Sequence, residues 1–245
     1  MAAANSTLAV STAHQCVHCT AFVVQATRFW QYSSVRIIST VAGLCVLLAQ
    51  PLAAQEWVEY TSREDGFAVP APGAPTVDTI AWDSEYGATF PGRVYTWQQG
   101  GNHYSVTVVD YSDSELIHAK VDHNVYRGGP GPGGVYWLVD IVASVPYAAA
   151  KYRQKPGVTV TYDAFHFIEF VPGLGLQLTN PDKTRSYVGI YLHENRLYIL
   201  DATAPQDAAP PIIFQQSFGF LDAQGNPVRY RPFYVNRLPE PRLAR

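Results

Sequence analysis

No acidic residue occurs in the first 55 positions, although the chain has 20, and no cysteine occurs after Cys45. The same leader holds two of the 17 basic residues, Arg28 and Arg36. The rest of the chain carries 15 basic against 20 acidic residues, a balance of −5 where the whole chain is −3. An acid-free leader joined to a mixed-charge body marks a processing boundary. The want of cysteine beyond it excludes a disulfide framework or a thiolate metal site in the body. The core alone must hold that body, and 191 residues are enough for one. The apolar run Ile37–Ala49 has 13 residues, short of the roughly 20 that a membrane-crossing helix needs. An acidic body also speaks against nucleic acid as a partner.

The leader has the three parts of an export signal. Arg36 is the positive region, Ile37–Ala49 the apolar region, and Pro51-Leu52-Ala53-Ala54 the small-residue end. Cleavage after Ala54 is therefore expected, with a periplasmic or secreted product; an uncleaved anchor and an organelle transit peptide are the alternatives. The 35 residues before Arg36 are long for such a region, so translation starting further on, near Val35, is an expectation too. Cys16-Val17-His18-Cys19 has redox or zinc spacing, but it falls in the segment expected to be removed. Cys45 follows Leu44, which does not suit a lipidation site. The expected organisation is a leader over 1–54, one exported domain over 55–226 and a basic, Pro-containing tail over 227–245.

Within the domain, two hairpins can be registered. Arg93–Gln99 and Asn102–Asp110 flank Gly100-Gly101, which pairs Trp97 with Tyr104 and Tyr95 with Val106 on one face. Thr96 with Ser105 and Val94 with Thr107 fall on the other. Tyr187–His193 and Arg196–Thr203 flank Glu194-Asn195; Val188, Ile190, Leu192, Leu197 and Ile199 share a face, and Tyr191 opposes Tyr198 behind them. Leu174–Thr179 joins through Asn180-Pro181-Asp182-Lys183 to make a meander. Ser112-x-x-Glu115 has capping-box spacing and predicts a helix to about His123. Trp137–Arg153 predicts a longer helix with a kink at Pro146, and Pro210–Leu221 a third. The fold class is α+β: a mainly antiparallel twisted sheet built from hairpins, flanked by two or three helices.

Trp57-Val58-Glu59-Tyr60, Gly66-Phe67-Ala68-Val69, Tyr104–Tyr111, Arg196–Ala202 and Phe214–Asp222 resemble segments of exported alphaproteobacterial proteins that carry no agreed activity. The opening strand followed by Pro72-Gly73-Ala74-Pro75 is similar to the PsbP-like family. That resemblance implies a sheet flanked by helices and an accessory, non-catalytic role.

Chemistry is sparse. Of the five histidines after the leader, His118 and His123 are five apart, not the four that stack on a helix, so surface or capping roles are expected and no metal or other cofactor. Asp110 alternates with Tyr104, Val106 and Val108, so it is a candidate base or, with more weight, a capping group at its strand end. Glu169, read as lying on the strand beside Phe165 and Phe167, poses the same choice. Ser217 lacks the G-x-S-x-G context of a nucleophile and reads as a small residue packed in a helix. Arg127–Gly134 is Gly-rich without a phosphate-loop Lys, hence a loop or a lid. Tyr191 and Tyr198 form either a platform for a carbohydrate, peptide or protein, or plain core. The tail carries Arg229, Arg231, Arg237, Arg242 and Arg245 against Glu240, and reads as solvated or docked on an anionic envelope surface. The function expected is an exported, non-enzymatic accessory or binding protein whose partner is an envelope protein or a small ligand. The alternative is a small hydrolase drawing Asp110 and His166 from separate strands.

Overall fold

A chain whose strands alternate must cover at least one face of its sheet, and here both faces are covered. The computed structural model describes residues 56–121 and 134–243, all within the compact unit Ala53–Arg245. Ala54 and the leader with its three cysteines, Asp122, His123 and residues 127–133 of the Gly-rich segment lie outside the described residues. The described residues form ten strands: β1 (Trp57–Ser62), β2 (Phe67–Pro72), β3 (Thr76–Asp83), β4 (Thr89–Gln99), β5 (Asn102–Asp110), β6 (Thr159–Ile168), β7 (Val171–Thr179), β8 (Arg185–His193), β9 (Arg196–Ala204) and β10 (Gly219–Phe220). Three helices accompany them among the described residues: α1 (Ser114–His118), α2 (Tyr136–Arg153) and α3 (Ile212–Gln216). Seven strands form one antiparallel sheet in the order β3-β4-β5-β9-β8-β7-β6, and β1-β2-β10 form a second. The class is α+β and mostly sheet, as expected.

Both hairpin registers are as read from the sequence. Trp97 pairs with Tyr104 and Tyr95 with Val106; Tyr191 pairs with Tyr198 and Ile190 with Ile199. The turns depart from simple chemistry. Of the glycine pair, only Gly100 takes positive φ, at +58°. Gly101 is there for closeness instead, since a Cβ on it would lie 2.8 Å from Pro205 Cγ. In the β8–β9 turn both Glu194 (φ +48°) and Asn195 (φ +59°) are left-handed, a conformation that costs a non-glycine residue about 1–2 kcal/mol.

One face of the large sheet builds an aromatic core. Tyr95, Trp97, Tyr104 and Tyr198 pack with Phe67 of β2, Phe214 of α3 and Phe218 and Phe220 around β10. The opposite face is aliphatic: Leu176, Leu178, Val188, Ile190, Leu197 and Ile199 meet Trp137, Ile141, Ala148 and Ala149 of α2. Each such large side chain contributes about 1.5–3 kcal/mol relative to exposure. Pro146 is tolerated in α2 because it is on the exposed side. The carbonyl it strands belongs to Val142, which is 64 % exposed, so water can satisfy it.

Three expectations are corrected. Ser112 caps nothing: its N–H donates to Asp110 Oδ1 at 2.8 Å, and the helix covers only Ser114–His118, with Asp113 as an N-cap that makes no side-chain cap bond. The third helix is five residues, because Phe218 and Phe220 turn into the aromatic core and Gly219–Phe220 pairs with β2; Ser217 is exposed between them. The tail is docked rather than solvated. Tyr234 N donates to Phe170 O (2.9 Å), Glu194 N to Tyr234 OH (3.0 Å) and Asn195 N to Asn236 Oδ1 (2.9 Å), while Arg242 pairs with Asp113. The tail thus holds the β6–β7 turn, the strained β8–β9 turn and the start of α1.

His193 anchors that strap and makes it pH-sensitive. It is 1 % exposed, its Nε2 meets Tyr230 OH at 2.8 Å, and its ring packs on Phe220 and Tyr234. Burial, helped by the Arg196 charge, lowers its pKa to about 4. The unfolded chain takes the proton near the ordinary 6.5, before the native state does, so stability falls as pH drops from about 6.5 to about 4. A loss of up to about 3 kcal/mol is expected across that window. Urea midpoints measured along it should show the slope, and His193→Gln should remove most of it. His166, lowered in the same direction by burial, supplies a remainder. A profile that is the same with and without His193 overturns the assignment.

Candidate functional site

Two of the four residues singled out from sequence meet. His166, on edge strand β6, and Tyr191, on β8, are joined by a 2.6 Å hydrogen bond between Nδ1 and the phenol. They can reach each other across β7 because Gly173, which the register sets opposite both, carries no side chain; a Cβ there would lie 2.5 Å from the Tyr191 ring. Gly175 pairs with Gly189; a Cβ on Gly189 would lie 3.0 Å from the Tyr191 ring and its hydroxyl, and one on Gly175 would lie 3.3 Å from His166 Cβ. Burial raises the Tyr191 phenol and lowers the His166 imidazole, so both are neutral near pH 7. Either group can donate in that bond: a donating phenol goes with the hydrogen on Nε2, a donating Nδ1–H with a free Nε2.

This glycine floor belongs to a cleft of about 170 Å³ that α3 closes from above. Tyr162 of β6, Gln177 of β7, Tyr187 of β8 and Gln215 and Gln216 of α3 complete its polar wall, with Ile212 beside them. Among the described residues, no aspartate, glutamate, lysine or arginine lines it. The amide Nε2 of Gln215 is buried without a partner among the described residues. Tyr162, by contrast, is 44 % exposed. The cleft is therefore a set of neutral donors and acceptors with aromatic surface, the pattern of a recognition site.

Larger hollows carry less. One of about 690 Å³ is walled by the tail at Tyr230, Phe233, Tyr234 and Arg237. Its phenols are already committed, Tyr230 to His193 and Tyr234 to the β8–β9 turn. Another of about 370 Å³ runs along β10 past Glu59, Glu169 and Arg229.

The other expected site residues lie apart. Tyr198 is 1 % exposed, with its hydroxyl donating to Asp65 O at 2.7 Å, so the Tyr191/Tyr198 pair offers no open platform and is core. Asp110 takes the capping role through the Ser112 N–H. It is on β5, four inter-strand steps from β6, so it is about 19 Å from His166 across the sheet. Glu169 is not on a strand: it takes φ +48° in the β6–β7 turn. Of the histidines expected at the surface, His118 and His193 are buried.

Sequence reasoning missed Tyr162, Tyr187, Gln177, Gln215 and Gln216, which have no motif and come together only through strand order and the placing of α3. It also missed two buried polar pairs. His118 Nε2 and Asp140 Oδ2 are 2.9 Å apart between α1 and α2. Asp201 of β9 has its carboxyl raised by burial, against the lowering effects of Lys155 and of hydrogen bonds from Tyr152 and Thr203. Edge strand β6 and the turn after it add an exposed aromatic group: Phe165, Phe167 and Phe170, with Phe233 of the tail 5.9, 5.5 and 5.6 Å from them.

No family model and no curated protein matches the chain. Among solved structures, the solution structure of cyanobacterial PsbP (CyanoP) from Synechocystis sp. PCC 6803 is similar to it, with a TM-score of 0.40 and 9 % identity over 69 % of this chain and 95 % of that one. The similarity to PsbP is one of fold, and a weak one. No helix among the described residues is long and apolar enough to cross a membrane.

Proposed function

We propose that the protein is an exported, non-enzymatic binding protein of the cell envelope that takes its ligand or partner in the cleft between α3 and strands β6–β8. The observation that carries this reading is the convergence of neutral hydrogen-bonding groups and aromatic surface on a glycine floor, with no carboxylate beside the one histidine. An acid–base or nucleophilic reaction needs a nucleophile, a base and a group to orient it within hydrogen-bonding reach. His166 has only a phenol there. The hydrolase reading loses its basis, since its two groups are separated by the width of three strands. Export rests on the acid-free leader and its Ala54 boundary.

Both halves can be tested in cells. Fractionation of cells making the full chain is expected to yield a periplasmic product beginning at Gln55; a cytoplasmic product that keeps residues 1–54 overturns export. For the cleft, a photoreactive phenylalanine analogue in place of Gln216, which is exposed, is expected to give adducts on irradiation in intact cells. The same analogue in place of Val77, exposed on β3 at the far edge of the sheet, is the control. Equal yields at the two positions overturn the binding reading.

A further inference from the structure

From the chemistry of the cleft we infer that it takes an uncharged, hydroxyl-rich ring of monosaccharide size, either free or at the end of a glycan. The inference rests on reading the cleft as the binding site and adds the class of ligand.

Size comes first. At about 170 Å³ the cleft is below the roughly 300–1,000 Å³ of sites for drug-sized ligands, and it matches one pyranose ring. Charge comes next. A charged ligand would give up its hydration to a wall without a single ionic side chain, which costs several kcal/mol with nothing to offset it. Donor and acceptor balance narrows the choice further. Amides of Gln177, Gln215 and Gln216 and phenols of Tyr162 and Tyr187 each offer both donor and acceptor capacity. None of these side chains has a hydrogen-bond partner among the described residues. A hydroxyl group also donates and accepts, so a ring bearing several can satisfy such a wall at many points. The orphaned Gln215 Nε2 marks where one acceptor belongs, because a buried amide donor without a partner is rarely left so. Ring surface of the half-exposed Tyr162 and the side chain of Ile212 suit the C–H face of the same ring.

The test is a titration of the purified full chain with glucose, N-acetylglucosamine, cellobiose and glucose 6-phosphate, followed by amide shifts in two-dimensional NMR spectra. Saturable shifts at Gly175, Gly189 and His166 with one or more of the neutral sugars are expected, at millimolar affinity. Glucose 6-phosphate should bind at least tenfold more weakly. A free sugar is the source if the monosaccharides bind best, and a glycan end if cellobiose does. Gln215→Ala and Gln216→Ala should each weaken the binding about tenfold with an unchanged melting midpoint, the size of one lost hydrogen bond to a ligand. No shift at these residues with tens of millimolar neutral sugar, or a phosphorylated sugar that binds as well, overturns the inference. Adducts specific to position 216 together with either result overturn the ligand class and leave the binding reading standing.

Discussion

Replacing His118 with leucine is expected to lower the free energy of unfolding by about 3–5 kcal/mol, the usual cost of stripping a buried charge of its partner. His118 is fully buried and Asp140 is 1 % exposed, and the contact between them is 2.9 Å. The other carboxylate oxygen, Oδ1, already has no partner among the described residues. Without the imidazole, the buried acid of α2 would lose the partner of Oδ2 as well. Leucine roughly preserves volume, so the loss reads polar pairing rather than a cavity. The double variant His118→Leu/Asp140→Leu should recover most of the loss, because it leaves no unpaired carboxylate behind. Urea unfolding of the two single variants and the double variant measures the coupling. A single-variant loss below about 1 kcal/mol would show that α1 and α2 are joined by packing alone.

Asp65→Ala is expected to cost about 3 kcal/mol, close to the loss at His118, by cutting the small sheet loose from the large one. Asp65, 5 % exposed in the β1–β2 turn, accepts from Arg93 Nε at 2.7 Å and from the Tyr95 hydroxyl at 2.6 Å. Ser62 Oγ bridges Tyr95 OH to the Asp65 N–H, at 3.0 and 3.2 Å. The Tyr198 hydroxyl holds the Asp65 carbonyl. Alanine would take the buried carboxylate away from both, leaving the Tyr95 phenol only Ser62 Oγ and the Arg93 guanidinium only the exposed Glu64. Burial pushes the Asp65 carboxyl up, but the hydrogen bonds from Arg93 and Tyr95 outweigh it and hold it below the usual carboxylate range. The native state therefore resists the proton more than the unfolded chain does. Its contribution is whole above about pH 4 and is lost as pH falls below that. The window lies under that of His193, so the two effects separate in one pH series. Asp65→Asn, which keeps an acceptor for Tyr95 and withdraws the charge from Arg93, should fall between the wild type and alanine. If Asp65→Ala unfolds at the wild-type midpoint, aromatic contact such as that of Phe67 with Tyr95 is what binds the sheets.

The two deletions mark what kind of information was hidden. Alternation along a strand and the residues of its turn are local, and they specified the β4–β5 and β8–β9 registers down to the residue, because a slip of one would turn aromatic and polar faces inside out. Apolar spacing likewise set α2 to within one residue of its start. Nothing local told that β9 would lie beside β5, since the chain makes α1, α2 and three strands before returning to it. That adjacency follows from the need to bury both faces at once, and it decided which polar residues become neighbours. The partners of His118, Asp65 and His193 are 22, 28 to 30 and 37 positions away in sequence. The end of α3 was decided the same way: Phe218 and Phe220 are buried in the aromatic core, and Gly219–Phe220 pairs with β2.

Alternation and turn chemistry, then, determined by themselves the antiparallel hairpins and an α+β class, since each depends on residues near one another in the chain. The cleft was decided only by tertiary structure. His166 was singled out early, but its neutral state, its bond to Tyr191 and the glutamines that face it exist because Gly173, Gly175 and Gly189 let distant side chains close over a bare stretch of sheet. Glycines on two different strands become a floor only when their register is set side by side.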